Sequence, residues 1–177
     1  MRRIILFIAM SLDGYIADEK GGVDWLSGIQ TEEGEDSYSS FIKGIDTVVM
    51  GWNTYHQIVT ELSPGEWVYK GLTTYILTHR KLESTGEICF TDENPCKILR
   101  RLKKEEGKSI WICGGADVIR QLMEEDLIDE YDISVIPVIL GDGIRLFGKR
   151  ESPVRLRLVR SGGSDGIVEL VYVREKE

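Results

Sequence analysis

Apolar runs separated by polar and glycine-containing stretches recur along this chain, and they predict six β-strands. The runs are rich in β-branched residues and lie at 3–10, 46–50, 74–78, 87–91, 109–113 and 131–139. Between several of them, apolar residues recur at helical spacing and predict helices at 34–43, 95–105 and 115–124. Because strands that alternate with helices form buried parallel sheets, the pattern predicts an α/β fold with a mostly parallel central sheet.

The last third of the chain has a different pattern, which predicts an antiparallel hairpin. Residues 154–158 alternate between apolar and basic, as a half-exposed strand does. The glycine-rich segment 162–166 predicts a turn, and residues 167–173 predict the returning strand. A hairpin at the edge of a sheet leaves backbone groups unpaired, so it can also pair with a second subunit.

Composition and charge exclude several classes of protein. A length of 177 residues is typical of one domain, so we predict a single domain over residues 1–177. A net charge of −8 argues against a nucleic-acid partner, because a phosphate backbone binds basic surfaces.

The N-terminal apolar run is too short to span a membrane and predicts a first strand rather than a signal peptide. Three cysteines without a C-x-x-C pair, and only two histidines, predict a cytoplasmic protein without a metal site.

The segment around Gly114 and Gly115 is the best candidate for ligand binding. A predicted strand runs into these two glycines and then directly into a helix. Glycine allows close approach of the backbone, and a helix N-terminus presents unpaired N–H groups, which suits a pyrophosphate. The alternative is a tight turn without a ligand. The segment is not a G-x-G-x-x-G fingerprint and therefore does not indicate a standard dinucleotide fold.

Two other strand ends carry groups that suit phosphate. Gly51 is followed by Asn53 and Thr54 in the first turn of a helix, and the strand at 74–78 ends in Thr78-His79-Arg80. Simple N-capping explains the first segment equally well, and an exposed polar turn is the alternative for the second. Since α/β sheets bind ligands at the carboxyl ends of their strands, the three segments together indicate a phosphate-bearing ligand.

These segments, taken in order, resemble the dihydrofolate reductase superfamily and, within it, the RibD C-terminal type, the reductase domain of bacterial riboflavin biosynthesis. The matching segments are SLDGYIA (11–17), VMG (49–51), TY (54–55), LT (77–78), GG (114–115), IP (136–137) and GDG (141–143). Each is loose alone, but their order and spacing cover nearly the whole chain. The resemblance implies a dihydrofolate-reductase-like three-layer αβα fold and NADPH-dependent hydride transfer.

The resemblance also implies where NADPH would bind. The nicotinamide would lie against Ala9, Ile16 and Ala17. The pyrophosphate would lie against Gly51, Asn53, Thr54, Gly114, Gly115, Ala116, Asp117 and Val118, and the adenosine end with its 2′-phosphate against Leu77, Thr78, His79 and Arg80. Ile112 is a further implied cofactor-binding residue. The chain departs from the family at Trp52, because the family usually has Arg after Met-Gly. This leaves His79 and Arg80 to favour NADPH over NADH.

The implied substrate pocket has no clear acidic residue. Dihydrofolate reductases bind the pterin ring through an acid on the helix after the first loop, where this chain has Glu35, Asp36 and Ser37 as catalytic candidates. The matching position is Ser37, so the acid is either displaced or missing, and acids in a first helical turn also serve as dipole partners. The other implied substrate-binding residues are Ile8, Asp13, Trp25 and Ser134, with a turn-capping role for Asp13 as the alternative.

We therefore expect an NADPH-dependent reductase that acts on a pyrimidine- or pterin-like small molecule. It would be similar to the 5-amino-6-(5-phosphoribosylamino)uracil reductase of riboflavin biosynthesis and, as the family implies, a homodimer. One alternative is a genuine dihydrofolate reductase, which tight binding of methotrexate would favour. The other is a non-catalytic nucleotide-binding dimer, which the lack of an acid or hydroxyl near the nicotinamide would favour.

Overall fold

The computed structural model describes residues 1–27 and 37–175 and contains ten strands and four α-helices within them. The strands are β1 (Ile4–Ser11), β2 (Tyr15–Ala17), β3 (Ile45–Gly51), β4 (Thr73–Leu77), β5 (Ile88–Thr91), β6 (Ser109–Gly114), β7 (Glu130–Ile136), β8 (Ile144–Arg145), β9 (Leu156–Ser164) and β10 (Ile167–Arg174). The helices are α1 (Ser37–Ile42), α2 (Trp52–Gln57), α3 (Pro95–Leu102) and α4 (Ala116–Glu124). A short 3₁₀ helix covers Asp24–Leu26, and a π-helical turn at Ile58–Leu62 follows α2.

Eight strands form one sheet in the order β5-β4-β3-β6-β1-β7-β10-β9. The six strands from β5 to β7 are all parallel, whereas β10 is antiparallel to both β7 and β9. The predicted mostly parallel sheet with a C-terminal antiparallel hairpin is confirmed. Strands β2 and β8 form a separate small antiparallel sheet. In this topology the carboxyl ends of the parallel strands meet at one edge, where α/β proteins bind ligands.

Helices cover both faces of the sheet and produce three layers. Helices α3 and α4 bury Ile98, Leu99 and Leu122 against one face, where all three side chains are inaccessible to solvent. On the other face, α1, α2 and the π-helical turn pack against a second apolar cluster around Met50 and Trp111. Strands buried on both faces are continuously apolar, which is why the apolar runs predict them well.

The start of α3 follows directly from its sequence. The Asn94 Oδ1 atom accepts hydrogen bonds from the N–H groups of Cys96 (2.9 Å) and Lys97 (3.2 Å), and Pro95 occupies the first turn, where its missing N–H costs nothing. Helix α4 begins directly after Gly115, as the sequence predicts. It spans nine residues, and none of the helices described is long and apolar enough to span a membrane.

The boundaries of some elements differ from the predictions for identifiable reasons. Strand β7 ends at Ile136 rather than residue 139, because Pro137 lacks an N–H group for the ladder. The predicted turn over 162–166 shrinks to Asp165-Gly166, whose φ values of 55° and 82° suit a tight two-residue hairpin turn. Gly162 and Gly163 are instead paired within β9, an edge strand that is mostly exposed rather than half-exposed. Of the predicted helix over 34–43, the first three residues lie outside the described residues.

Candidate functional site

The carboxyl ends of β1, β3, β4 and β6 surround a cavity of about 1500 Å³. Cavities that hold one small molecule usually measure about 300–1,000 Å³. The cavity is therefore large enough for a dinucleotide and a second molecule beside it. Its lining includes residues of β1 itself, residues of α2 and α4, and the turn that follows β4.

All residues predicted to bind the cofactor, except Ile112, line this one cavity. The lining residues from that set are Ala9, Ile16, Ala17, Gly51, Asn53, Thr54, Leu77, Thr78, His79, Arg80, Gly114, Gly115, Ala116, Asp117 and Val118. Ile112 is fully buried in the core beneath α3 and α4. Because side chains alternate across a strand, the next residue, Cys113, lines the cavity in its place. The prediction that Ile112 would reach this cavity is therefore wrong, and Cys113 lines the cavity at that point of β6.

The two glycine segments meet where a pyrophosphate would fit. Gly115 has a φ of +91°, and a Cβ atom there would lie 3.6 Å from the Gly51 nitrogen and 3.6 Å from the Val118 Cγ2 atom. The first turn of α4 has no side-chain cap, so its N–H groups lack the usual side-chain acceptor. Glycine at this position keeps the groove between the two backbones open and allows a conformation that other residues rarely adopt.

Asp117 lies in the first turn of α4, but its carboxylate is already bonded within the helix. It accepts hydrogen bonds from Arg120 Nη2 (2.5 Å) and Gln121 Nε2 (2.8 Å), and the bond from Arg120 lowers the pKa of Asp117. This pairing reduces the repulsion that a free carboxylate would exert on an anion. The backbone, rather than the side chain, of Asp117 is thus the group suited to a phosphate.

The adenosine end of the predicted site is built on the turn after β4. Thr78 is buried, its N–H donates to the Thr91 carbonyl (2.9 Å), and its Oγ1 accepts from the Arg80 N–H (3.1 Å). The opposing rim is formed by residues 91–95, which follow β5. Those rim residues were not predicted, because they belong to a polar turn that carries no recognisable motif.

Tyr69 and Cys113 form a pair of protonated groups on the cavity wall that sequence reasoning did not find. The Tyr69 Oη atom lies 3.4 Å from the Cys113 Sγ atom. Burial raises the pKa of the Cys113 thiol to about 11 and raises the pKa of the Tyr69 hydroxyl above its ordinary value. Both groups therefore keep their protons at neutral pH. Cys113 is adjacent to Gly114 and could have been found by alternation, whereas Tyr69 lies in an irregular loop that gives no sequence signal.

Of the three predicted catalytic residues, Ser37 is the one that lies within the described residues. Glu35 and Asp36 lie outside the described residues. Ser37 is described as the first residue of α1 and is not part of the cavity lining. In the part of the chain that the structure describes, no group of three or more His, Cys, Asp or Glu side chains is placed to hold a metal ion.

Of the predicted substrate-binding residues, Ile8 lines the cavity, whereas Asp13, Trp25 and Ser134 do not. The Asp13 carboxylate accepts hydrogen bonds from the Ser11 hydroxyl (2.6 Å) and from the N–H groups of Leu140 (3.1 Å) and Gly141 (2.8 Å). These bonds, chiefly the one from Ser11, lower the pKa of Asp13 to about 2. Asp13 thus connects the turn after β1 to the loop after β7 and does not line the cavity. This agrees with the alternative, turn-capping role.

Comparison with known proteins identifies the family of this chain. The family model for the RibD C-terminal domain matches residues 2–166. The chain is also 40% identical over 176 residues to YwjB, an uncharacterized protein of Bacillus subtilis, with 98% of both chains covered. The chain belongs to the RibD C-terminal domain family. The resemblance drawn from the sequence motifs is confirmed.

Solved structures share the fold of this RibD C-terminal domain protein. One is a protein of Shewanella sp. PV-4 assigned to riboflavin biosynthesis, with a TM-score of 0.85, 29% identity, and coverage of 98% of this chain and 99% of the other. Another is the dihydrofolate reductase of Enterococcus faecalis complexed with NADP(H), with a TM-score of 0.71, 20% identity, and coverage of 98% and 97%. The second likeness shows the fold alone. The RibD C-terminal domain fold is thus dihydrofolate-reductase-like.

Proposed function

We propose that this protein is an NADPH-dependent reductase that transfers a hydride to a pyrimidine- or pterin-like small molecule. The observation that carries the proposal is the continuity of one cavity, from the glycine-lined groove at Gly51 and Gly115 to an apolar end at Ala9 and Ala17. When bound there, NADPH supplies a hydride from its nicotinamide ring. Membership of a family that includes reductases supports the same chemistry.

The pyrophosphate fits the groove for two physical reasons. The uncapped N–H groups at the start of α4 donate to phosphate oxygens, and the positive end of the helix dipole favours a negative charge. Gly51 and Gly115 keep side chains out of the groove, so the two backbones can approach the ligand. The side chains of Asn53 and Thr54 line the same stretch of the cavity and offer further polar contacts.

The other end of the cavity suits a flat nicotinamide ring and a heterocyclic substrate. Ala9, Ile16 and Ala17 present small or apolar side chains that exclude water from the reacting groups. Tyr69 and Cys113 face the same cavity and retain their protons, so either group can donate a hydrogen bond to a carbonyl oxygen or ring nitrogen. This combination of an apolar wall and protonated donors favours a planar, polar heterocycle as the substrate.

The proposal is tested by following the loss of nicotinamide absorbance when NADPH is mixed with the protein and a candidate substrate. We expect oxidation of NADPH with 5-amino-6-(5-phosphoribosylamino)uracil, whose ribosyl group would be reduced to a ribityl group, and none with dihydrofolate. Oxidation with dihydrofolate would indicate a genuine dihydrofolate reductase instead. Binding of NADPH without oxidation by a panel of pyrimidines and pterins would indicate a non-catalytic nucleotide-binding protein and contradict the proposed activity.

We also propose that the protein is a homodimer. Strand β9 is the edge of the main sheet, and Leu158 and Val159 on it are 47% and 52% exposed. Unpaired backbone groups beside exposed apolar side chains favour association with a second copy. Light scattering in solution should give a mass of twice 20.1 kDa, and the mass of a single chain would contradict the proposal.

A further inference from the structure

Trp52 and Arg80 form a stacked pair at the adenosine end of the cavity. The Arg80 Cζ atom lies 4.7 Å from the centroid of the Trp52 ring, within the range of a cation–π interaction. Trp52 is the first residue of α2, directly after β3, and Arg80 lies in the turn after β4. Since β3 and β4 are neighbouring parallel strands, the two residues emerge side by side at the carboxyl edge of the sheet. Both side chains line the cavity.

The structure holds both members of this pair in place. The half-buried Trp52 ring lies 5.6 Å from the rings of Tyr55 and His56 in its own helix. The Arg80 backbone is fixed by the hydrogen bond from its N–H to the Thr78 Oγ1 atom (3.1 Å). The Arg80 backbone is thus anchored, and its exposed side chain places the guanidinium over the Trp52 ring.

The positive charge of Arg80 is not neutralised within the described residues. Arg100, Arg101 and Arg120 each form an ion pair with a neighbouring carboxylate. Arg80, in contrast, makes no ion pair with any carboxylate in residues 1–27 and 37–175, and it is the one arginine of these residues that lines the cavity. An oriented, unpaired guanidinium at a ligand cavity suits a phosphate monoester, which it can bind through two parallel hydrogen bonds.

We propose that Trp52 is a positioning residue that determines cofactor specificity by holding Arg80 ready for the 2′-phosphate of NADPH. This inference rests on the proposed function, because it concerns the cofactor of the same site. NADPH differs from NADH by that one phosphate group, so an ordered guanidinium stabilises only the former. Trp52 then acts through the arginine of the turn after the neighbouring strand β4 rather than through a charge of its own.

The physical basis is the conformational freedom of the arginine side chain. A free guanidinium loses several rotatable degrees of freedom when it binds a phosphate, and this loss weakens binding. Stacking on an indole ring restricts those rotations before the ligand arrives, so the loss on binding is smaller. Tryptophan is the strongest cation–π partner among the aromatic residues, phenylalanine is weaker, and leucine offers no such interaction.

The test compares the dissociation constants of NADPH and NADH, measured by nicotinamide fluorescence, in wild type and in four variants. We expect R80M to abolish the preference for NADPH. We expect W52L to weaken NADPH binding about 5-fold and to leave NADH binding unchanged, with W52F between W52L and wild type. The double variant W52L/R80M should have the same ratio of NADH to NADPH dissociation constants as R80M alone. The reason is that Trp52 affects this ratio only through Arg80.

Several outcomes would overturn the inference. Equal weakening of NADPH and NADH in W52L would show that the ring stacks on the adenine instead, and an unchanged preference in W52L would show that Arg80 needs no platform. A wild type without any preference would overturn the inference but leave a reductase that uses either cofactor. A wild type that binds neither cofactor would contradict the proposed function itself.

A matched control separates a local effect from a change of net charge or stability. R155M removes the same charge from an exposed position near β9, away from the cavity lining, and should leave both dissociation constants unchanged. Thermal unfolding of every variant is measured alongside the titrations. A W52L variant that is folded and keeps wild-type affinity for NADH shows that a loss of NADPH binding is specific to the phosphate.

Discussion

The Tyr69 Oη atom and the Cys113 Sγ atom lie 3.4 Å apart on the wall of the cavity, although the two residues are 44 positions apart in the sequence. Because burial raises the pKa of the Cys113 thiol to about 11, the reactive thiolate is scarce at neutral pH. We expect iodoacetamide to modify Cys113 about 100-fold more slowly in the native protein than in the unfolded chain at the same neutral pH. Peptide mass spectrometry over a time course measures both rates. Equal rates in the native and unfolded protein would contradict this environment.

The buried carboxyl group of Asp132 should make the free energy of unfolding depend on pH. The residue is 9% exposed on β7, and burial raises its pKa to about 6, with Arg160 opposing the rise and Glu169 adding to it. Since the folded-state pKa exceeds the ordinary value, the unfolded chain loses this proton first, and stability falls as pH rises from about 4 to about 6. Above that range the buried charge is a constant cost.

Replacement of Asp132 by Asn should remove that cost. We expect Asp132→Asn to raise the free energy of unfolding by about 2 kcal/mol at pH 8 and to have little effect near pH 4. Urea unfolding at the two pH values measures the difference. Glu151→Gln, at an exposed position, is the control and should change stability little at either pH. A gain from Asp132→Asn that is equal at both pH values would contradict the assignment of the effect to ionisation.

Asp13 has the opposite dependence, because its pKa is lowered to about 2. Its hydrogen bonds hold the loop after β7 while the carboxylate is charged, and the stability they give is lost as pH falls from about 4 through 2. We expect Asp13→Ala to speed amide hydrogen exchange at Leu140 and Gly141 at neutral pH. Exchange in the middle of β7, at Ile133, should stay unchanged. Unaltered exchange at the two loop amides would show that Asp13 does not hold the loop.

A side chain at position 115 should reduce both the stability of the protein and its affinity for NADPH. The φ of +91° at Gly115 strains any other residue, and a Cβ atom would narrow the space beside Gly51. We expect Gly115→Ala to destabilise the protein by at least about 1 kcal/mol and to weaken NADPH binding. The matched control is Gly148→Ala, where an added Cβ atom meets nothing within 4 Å. Equal effects of the two substitutions on NADPH binding would contradict the groove as the cofactor site.

The parallel core was predictable from the sequence because its strands are buried on both faces. Val48 and Ile112 lie in unbroken apolar runs, and such runs need no partner information to be recognised. The antiparallel β2–β8 pair was not predicted, because β8 has two residues and no periodicity can be seen at that length. Its pairing depends on the long-range packing of the loop after β7, which a local pattern does not contain.

The candidate site was predictable only where it coincides with a motif. Gly51 is the last residue of β3 and Gly115 directly follows β6, so the rule that ligands bind at the carboxyl ends of strands identified both. Tyr69 reaches the cavity because its ring packs edge-on against Trp111 at 5.0 Å, a contact that depends on the folded core. The stacking of Arg80 on Trp52 likewise depends on the order of strands in the sheet, which places β3 beside β4.

We propose that the cavity at the carboxyl edge of the sheet binds NADPH. The most direct test is a titration of the purified wild-type protein with NADPH, followed by nicotinamide fluorescence, in parallel with Gly115→Ala. We predict saturable binding with a micromolar dissociation constant in wild type and weaker binding in the variant. The absence of saturable binding in correctly folded wild-type protein would contradict the claim.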